Sequence, residues 1–495
     1  MNKKNILIKK YFESRSFVES NINSFNNFVD VEMQNIVNEM GDIVPTIIPP
    51  DIKEFKIKFD KIWITKPQLV EADGSKRNVY PIESRLRKLT YSAPMYLEVS
   101  AYIDGIQRET FTTEIGKLPI MLKSKYCHLH NIKQDELIKN FEDPEDIGGY
   151  FILNGNERVL IIVEDLASNK VFVQANKTGP SKYTAKVFSE KGAYRIPHII
   201  EQMRDGIVYI TFTKFRRVPL VAVIKSLGLV KDQDISNFVL GKDEKFDDLF
   251  INLYNCMELK SENDALEFLA KKSGIQQDKD VHDKVKENFD KYLLPHLGLT
   301  QKDRIYKAYT LCKLMRKVFH ASIDSGSATS DKDHYMNKRL RLNGDLMADL
   351  FRINLRILIN DILYNFQRLI KRGKFSSLKI IIRDKLLTSR IQSAMSTGNW
   401  VGGRKGVSQN IDRMNFLATL SHLQRVVSLL SSTQENFEAR ALHPTTWGRI
   451  CSIETPEGTS IGLRKNLALM CEITQDDASE DKIKKVLESN GLMLK

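Results

Sequence analysis

Cysteine is scarce and unpaired in this sequence: the five in 495 residues are Cys127, Cys256, Cys312, Cys451 and Cys471, and no two form a Cys-x-x-Cys pair. An odd, scattered set excludes a disulfide framework and points to reduced thiols in a cytoplasmic setting. Cys127-His128-Leu129-His130 offers half of a zinc site, but no second half stands at zinc spacing, so structural roles are expected. Long apolar runs are missing as well. Val218-Pro219-Leu220-Val221-Ala222-Val223-Ile224 is among the longest, far short of the roughly 20 residues that cross a bilayer. The opening Met1-Asn2-Lys3-Lys4-Asn5-Ile6 has no apolar segment or cleavage site of a signal peptide. Membrane and secreted proteins are therefore set aside.

Complete catalytic signatures are lacking too. There is no Gly-x-Ser-x-Gly, His-Glu-x-x-His or Gly-x-Gly-x-x-Gly. Gly398 and Gly403 have the spacing of a phosphate loop, but Arg404-Lys405 follows where Lys and then Ser or Thr belong. Asp232/Asp234, Asp278/Asp280 and Asp331/Asp333 are paired acids without the further carboxylates of a two-metal site. Nothing in the sequence supplies a recognisable complete active site.

What is present begins with size: 495 residues, 42% hydrophobic and 28% charged, describe about three or four folded domains. The net charge of +13 is not spread evenly. Lys332 to Leu430 carries 18 Lys and Arg against 6 Asp and no Glu, a net +12, which leaves +1 for the other 396 residues. A concentrated positive field suits a polyphosphate partner, because each neutralised phosphate releases counterions. The bland alternative is a basic face shielded by an acidic protein.

Along the chain, Phe17, Ile22, Phe25, Phe28 and Val29 recur at helical spacing through residues 16–40. Phe55-Lys56-Ile57-Lys58-Phe59 alternates as a half-buried strand does, and residues 97–111 read as a hairpin turning at Asp104-Gly105. Phe151 to Leu153 is a strand bracketed by glycine turns, with a second apolar run at Val159 to Val163. From about Lys177 to Ser330 short strands give way to amphipathic helices, ending in the small-residue linker Ser325 to Ser330. A long helix is predicted over residues 344–370, closed by Lys371-Arg372-Gly373-Lys374.

Three blocks are more specific than any of this. The first is Gly116-Lys117-Leu118-Pro119 with Asp146-Ile147-Gly148-Gly149-Tyr150-Phe151-Ile152-Leu153-Asn154-Gly155-Asn156-Glu157-Arg158. The second is Asp331-Lys332-Asp333-His334-Tyr335-Met336-Asn337-Lys338-Arg339-Leu340-Arg341 with Gly344-Asp345-Leu346. The third runs from Thr397-Gly398-Asn399-Trp400 through Gly406-Val407-Ser408-Gln409, Leu420-Ser421-His422-Leu423 and His443-Pro444-Thr445-Thr446-Trp447-Gly448-Arg449 to Glu454-Thr455-Pro456-Glu457-Gly458. In this order they resemble the second-largest subunit of multisubunit DNA-directed RNA polymerases. The archaeal form fits best, particularly its separately encoded N-terminal half, the polypeptide called B-double-prime.

The resemblance implies an α+β multidomain architecture: a protrusion beginning over 1–176, an inserted lobe over 177–330 and protrusion return helices over 331–375. A fork would follow over 376–450, then the truncated start of an external or hybrid-binding region over 451–495. Catalytic Mg2+ would be bound by the largest subunit and none by this chain, so no catalytic residue is expected here. Partners would be the C-terminal half of the split subunit, the largest subunits, template DNA, nascent RNA and general transcription factors. The setting would be cytoplasmic and nucleoid-associated. The loop from Thr397 to Gly406 would be a fork loop whose Arg404 and Lys405 meet phosphate. Gln409, Asp412, His422 and Arg425 would line the path of nascent RNA, with Arg440 among the nucleic-acid contacts. Pro456 and Glu457 would lie beside the growing RNA end, a role for positioned charge rather than acid–base chemistry. Trp400 reads as a buried anchor before a stacking platform.

Departures fall in the same segment. Ala441 follows Glu438-Ala439-Arg440 where the family usually has Asp, Ser452 stands where Pro is usual, Thr459-Ser460 replaces the common Pro-Asn, and Ser428-Leu429-Leu430 lacks a Pro. The competing readings are a free-standing basic nucleic-acid-binding protein and an adaptor facing an acidic chain.

Overall fold

The computed structural model describes residues 3–14, 16–48, 52–71, 73–176, 179–192, 194–241, 247–274, 281–323, 330–373, 378–474 and 480–491. Most of the expected linker Ser325 to Ser330, and the pair Asp278/Asp280, lie outside them. The chain forms two compact units, one of Met1–Asp165 with Leu340–Lys495, the other of Leu166–Arg339.

In the first unit, helices α1 (Glu19–Asn27) and α2 (Met33–Met40) are joined by a single π turn at Phe28–Glu32. Strands β1 (Phe55–Ile64), β2 (Ser92–Ile103) and β3 (Ile106–Pro119) form an antiparallel sheet in the order β1-β2-β3. Phe55, Ile57 and Phe59 are buried, as their alternation requires. Asp104 and Gly105 both take positive φ between β2 and β3, the turn that matches strand twist. Then come β4 (Phe151–Leu153), β5 (Asn156–Leu160) and β6 (Ile162–Leu166).

The second unit opens with a five-stranded antiparallel meander: β7 (Val171–Ala175), β8 (Ser181–Lys191), β9 (Tyr194–Met203), β10 (Val208–Phe212) and β11 (Phe215–Pro219). Helix α3 (Leu220–Ser226) follows and is buried along its whole length. Its Lys225 Nζ donates to the carbonyls of Cys256 and Leu259 at 3.1 and 3.2 Å and pairs with Asp232 at 2.8 Å. The compact unit begins before the composition shift at residue 177, because β7 hydrogen-bonds along β8 from Tyr183–Ala175 to Val187–Val171.

Back in the first unit, α4 (Asn343–Lys371) extends one residue beyond the predicted helix at each end. Its apolar face closes the core: Phe351 meets Phe28 edge-on at 6.2 Å and Phe366 stacks on Phe55 at 4.8 Å. Phe25 meets Phe151 at 5.6 Å. Each such ring contributes about 1.5–3 kcal/mol by burial. Helix α5 (Asp384–Thr397) and α6 (Phe416–Leu423), with β12 (Ser408–Asn410), β13 (Arg425–Ser428) and β14 (Arg464–Asn466), complete the unit. β12 pairs with β5, and β13 lies between β6, to which it is parallel, and β14. Sequence neighbours of the third block are thereby fastened to the first block. Among the described residues no helix is long and apolar enough to cross a membrane.

Candidate nucleic-acid interface

Helix α5 stops at Gly398, whose φ of +74° is open to glycine without strain and whose absent Cβ would stand 2.7 Å from the Ser408 carbonyl. The loop that follows closes on itself. The Trp400 N–H donates to the Arg404 carbonyl at 2.7 Å and the Val407 N–H to that of Gly398 at 3.2 Å. Trp400 is buried, and its indole N–H donates to the Leu346 carbonyl at 2.8 Å, which makes it the anchor.

Arg404, expected to meet phosphate, turns inward. Its Nη2 donates to Asp165 at 2.6 Å and its Nη1 lies 3.9 Å from Asp349. Arg341 reaches the same two carboxylates at 3.1 and 3.0 Å, and Arg352 contacts Asp349 at 3.5 Å and Glu39 at 3.0 Å. Three guanidinium groups thus face three carboxylates. Lys405, by contrast, is exposed and meets no acid among the described residues. It lines an open groove of about 560 Å³ with Gly402, Gly403, Leu429, Leu430 and Arg464.

Three of the expected RNA-path residues, Gln409, Asp412 and His422, form one hydrogen-bonded cluster. His422 is buried, and its Nδ1 accepts from the Asp412 N–H at 3.0 Å. That leaves its proton on Nε2, facing Gln409 Oε1 at 3.3 Å. Burial first, then the nearby Arg425 charge, pushes the imidazole down to about 4. Gln409 also donates to the Gly406 carbonyl at 3.1 Å, and Thr419 donates to that of Asp412 at 2.6 Å. His422 is thus a neutral brace behind Gln409 and Asp412, not a group presented to solvent. Arg425 is half-buried, with no carboxylate partner among the described residues, and burial, then the like charge of Arg464, lowers its proton affinity.

Arg440 is occupied by backbone. Its guanidinium donates to the carbonyls of Thr459, Ile461, Ser432 and Gln434 at 2.7, 3.0, 2.9 and 3.3 Å, tying two loops together. Pro456 is half-buried, while Glu457 is exposed at the start of the 3₁₀ turn Gly458–Ser460. Glu454 accepts from Ser421. Sequence reasoning missed Arg413, which pairs with Glu157 at 2.7 Å and lies 5.0 Å over the Tyr150 ring, bracing the turn beside Asp412. It also missed Arg464, which lies beyond the last matched block. Among the described residues no group of three or more His, Cys, Asp or Glu is placed to hold a metal ion.

A sheet thus joins the first and third blocks, and the basic groove lies beside the third. Residues 16–389 match the family described as RNA polymerase beta subunit, and residues 409–473 match RNA polymerase Rpb2, domain 3. The chain belongs to this family of second-largest RNA polymerase subunits. It is 42% identical over 497 residues to DNA-directed RNA polymerase subunit Rpo2N of Methanocaldococcus jannaschii, an alignment covering 98% of each chain. It is 39% identical over 500 residues to Rpo2N of Halobacterium salinarum, covering 98% of this chain and 95% of that one. To DNA-directed RNA polymerase subunit Rpo2 of Saccharolobus solfataricus it is 43% identical over 470 residues, covering 94% of this chain and 41% of that one. The chain therefore spans about two fifths of the length of the Rpo2 relatives it matches.

Proposed function

We propose that this chain is the N-terminal half of a split second-largest subunit and works as one wall of a DNA-directed RNA polymerase. End-to-end correspondence with chains named Rpo2N carries the reading. In it, the groove beside Lys405 and the Gln409–Asp412 cluster border template and RNA, while the catalytic Mg2+ sits on the largest subunit. Nucleotidyl transfer asks the protein mainly for metals, positioning and positive charge around phosphates. This chain supplies the last two, so alone it synthesises no RNA.

Exposed apolar residues argue for a second chain over a free-standing binder. Phe437, Trp447 and Ile453 are 79%, 86% and 87% exposed, apolar surface that a partner chain would cover. The proposed cover is a C-terminal half equivalent to the remaining part of Rpo2. Tagging the chain in its source and identifying co-purifying proteins tests this. The largest polymerase subunits and the missing half should come down with it; recovery as a monomer would sink the reading.

A further inference from the structure

Strand β14 is three residues long and treats its two cations differently. Lys465 turns inward to Glu164 at 3.0 Å. Arg464 is exposed and meets neither a carboxylate nor another acceptor among the described residues. Its register neighbour on β13 is Val427, while Arg425 pairs with Asn466. Side chains two apart share a face, so Arg425 and Arg464 are diagonal neighbours on one side of the ribbon. Asp412 and Glu454 act on Arg425 only through space, and Glu454 already accepts from Ser421. Two like charges held together with no carboxylate in contact repel, and an anion between or above them offsets that repulsion.

The groove supplies the rest of a site. Lys405 stands with Arg464 in its lining, and the backbone at Gly402 and Gly403 is open to close approach. Leu429 and Leu430, 38% and 45% exposed, add an apolar platform. Single strands are held by cations along the backbone beside a surface for the bases, and here that surface is aliphatic rather than aromatic. Inorganic triphosphate would use the cations and leave the leucines idle, and a single nucleotide would place only one base on them.

We propose that Arg464, with Lys405, grips the phosphodiester backbone of a single nucleic-acid strand whose bases lie against Leu429 and Leu430. The inference rests on the polymerase-subunit reading and adds a contact residue outside the three sequence blocks.

The test uses the full chain, alone and with whatever co-purifies. Binding of a fluorescent oligouridylate is followed by anisotropy between about 50 and 200 mM salt. Arg464→Gln should shallow the slope of log affinity against log salt by about 0.7, so that wild type loses about 2.6-fold more affinity than the variant across that range. Arg464→Lys should keep the slope, and Lys260→Ala, in the other compact unit, should leave it unchanged. A wild-type slope in Arg464→Gln, or no oligonucleotide binding by wild type, overturns the proposal. Displacement by UTP at the oligonucleotide's own affinity overturns it in favour of a nucleotide. Absence of polymerase subunits from the co-purified material refutes the subunit reading instead, while the slopes on the chain alone still judge Arg464.

Discussion

Replacing Arg404 and Lys405 one at a time separates two roles that adjacency in sequence merges. Removing Arg404 leaves Asp165 and Asp349 short of one guanidinium. Breaking a buried pair by deleting one partner costs about 3–5 kcal/mol. Arg341 still contacts both carboxylates, and the Arg404 and Asp165 side chains are 13% and 17% exposed, so solvent screens part of the loss. About 2 kcal/mol is the expected cost of Arg404→Ala, felt first in the loop that Arg404 anchors. Hydrogen–deuterium exchange reads this directly. Amides of Trp400 and Val407, which close the loop, should exchange about 30-fold faster, the equivalent of 2 kcal/mol at 1.36 kcal/mol per decade. Salt dependence of scaffold binding should be unchanged. Lys405→Ala should do the reverse: unchanged exchange, with a slope shallower by about 0.9 if the contact is to duplex or 0.7 to a single strand. Unaltered exchange together with a shallower slope in Arg404→Ala would refute the reasoning and return Arg404 to phosphate.

Other outcomes follow from the same geometry. Gly462→Ala should disrupt the packing of its loop on Arg440, since the added Cβ would stand 2.3 Å from the Arg440 carbonyl; thermal unfolding should show a large loss, against about 1–2 kcal/mol for Gly402→Ala, where space is open but φ is +77°. His422 keeps its ring neutral down to about 4, against an ordinary 6.5. Between those values the unfolded chain binds a proton that the folded ring refuses, so stability falls as pH drops through the window and is flat above it. Urea midpoints across pH should show that slope diminished in His422→Asn, with His198 retaining its own share. Thiol titration with an aromatic disulfide should label Cys451 and Cys471 before Cys127, Cys256 and Cys312. These three are buried, and burial pushes their thiols up, Cys312 to about 12. Simultaneous labelling of all five in the folded chain would contradict their burial.

Elements with a local signal were legible before the structure. Alternation at Phe55–Phe59, the Asp104-Gly105 turn and the apolar face of α4 each depend on residues a few positions apart. Composition changes at 177, whereas the second compact unit is set by contacts and starts at Leu166. His422 was placed in the site by its motif neighbours, yet its burial comes from Gln409 and Asp412 folding over it.

Charge shows the division most clearly. The sequence by itself determined the family, the order of its blocks and the excess of +12 between Lys332 and Leu430. Only the tertiary structure decided which of those cations remain available to a ligand. Arg352, Arg404 and Arg413 find Glu39, Asp165 and Glu157, acids 313, 239 and 256 residues away and all outside the basic window. Lys405 and Arg425 find none among the described residues. Coulombic energy depends on separation in space and on the dielectric around the pair, and neither can be read from separation along the chain.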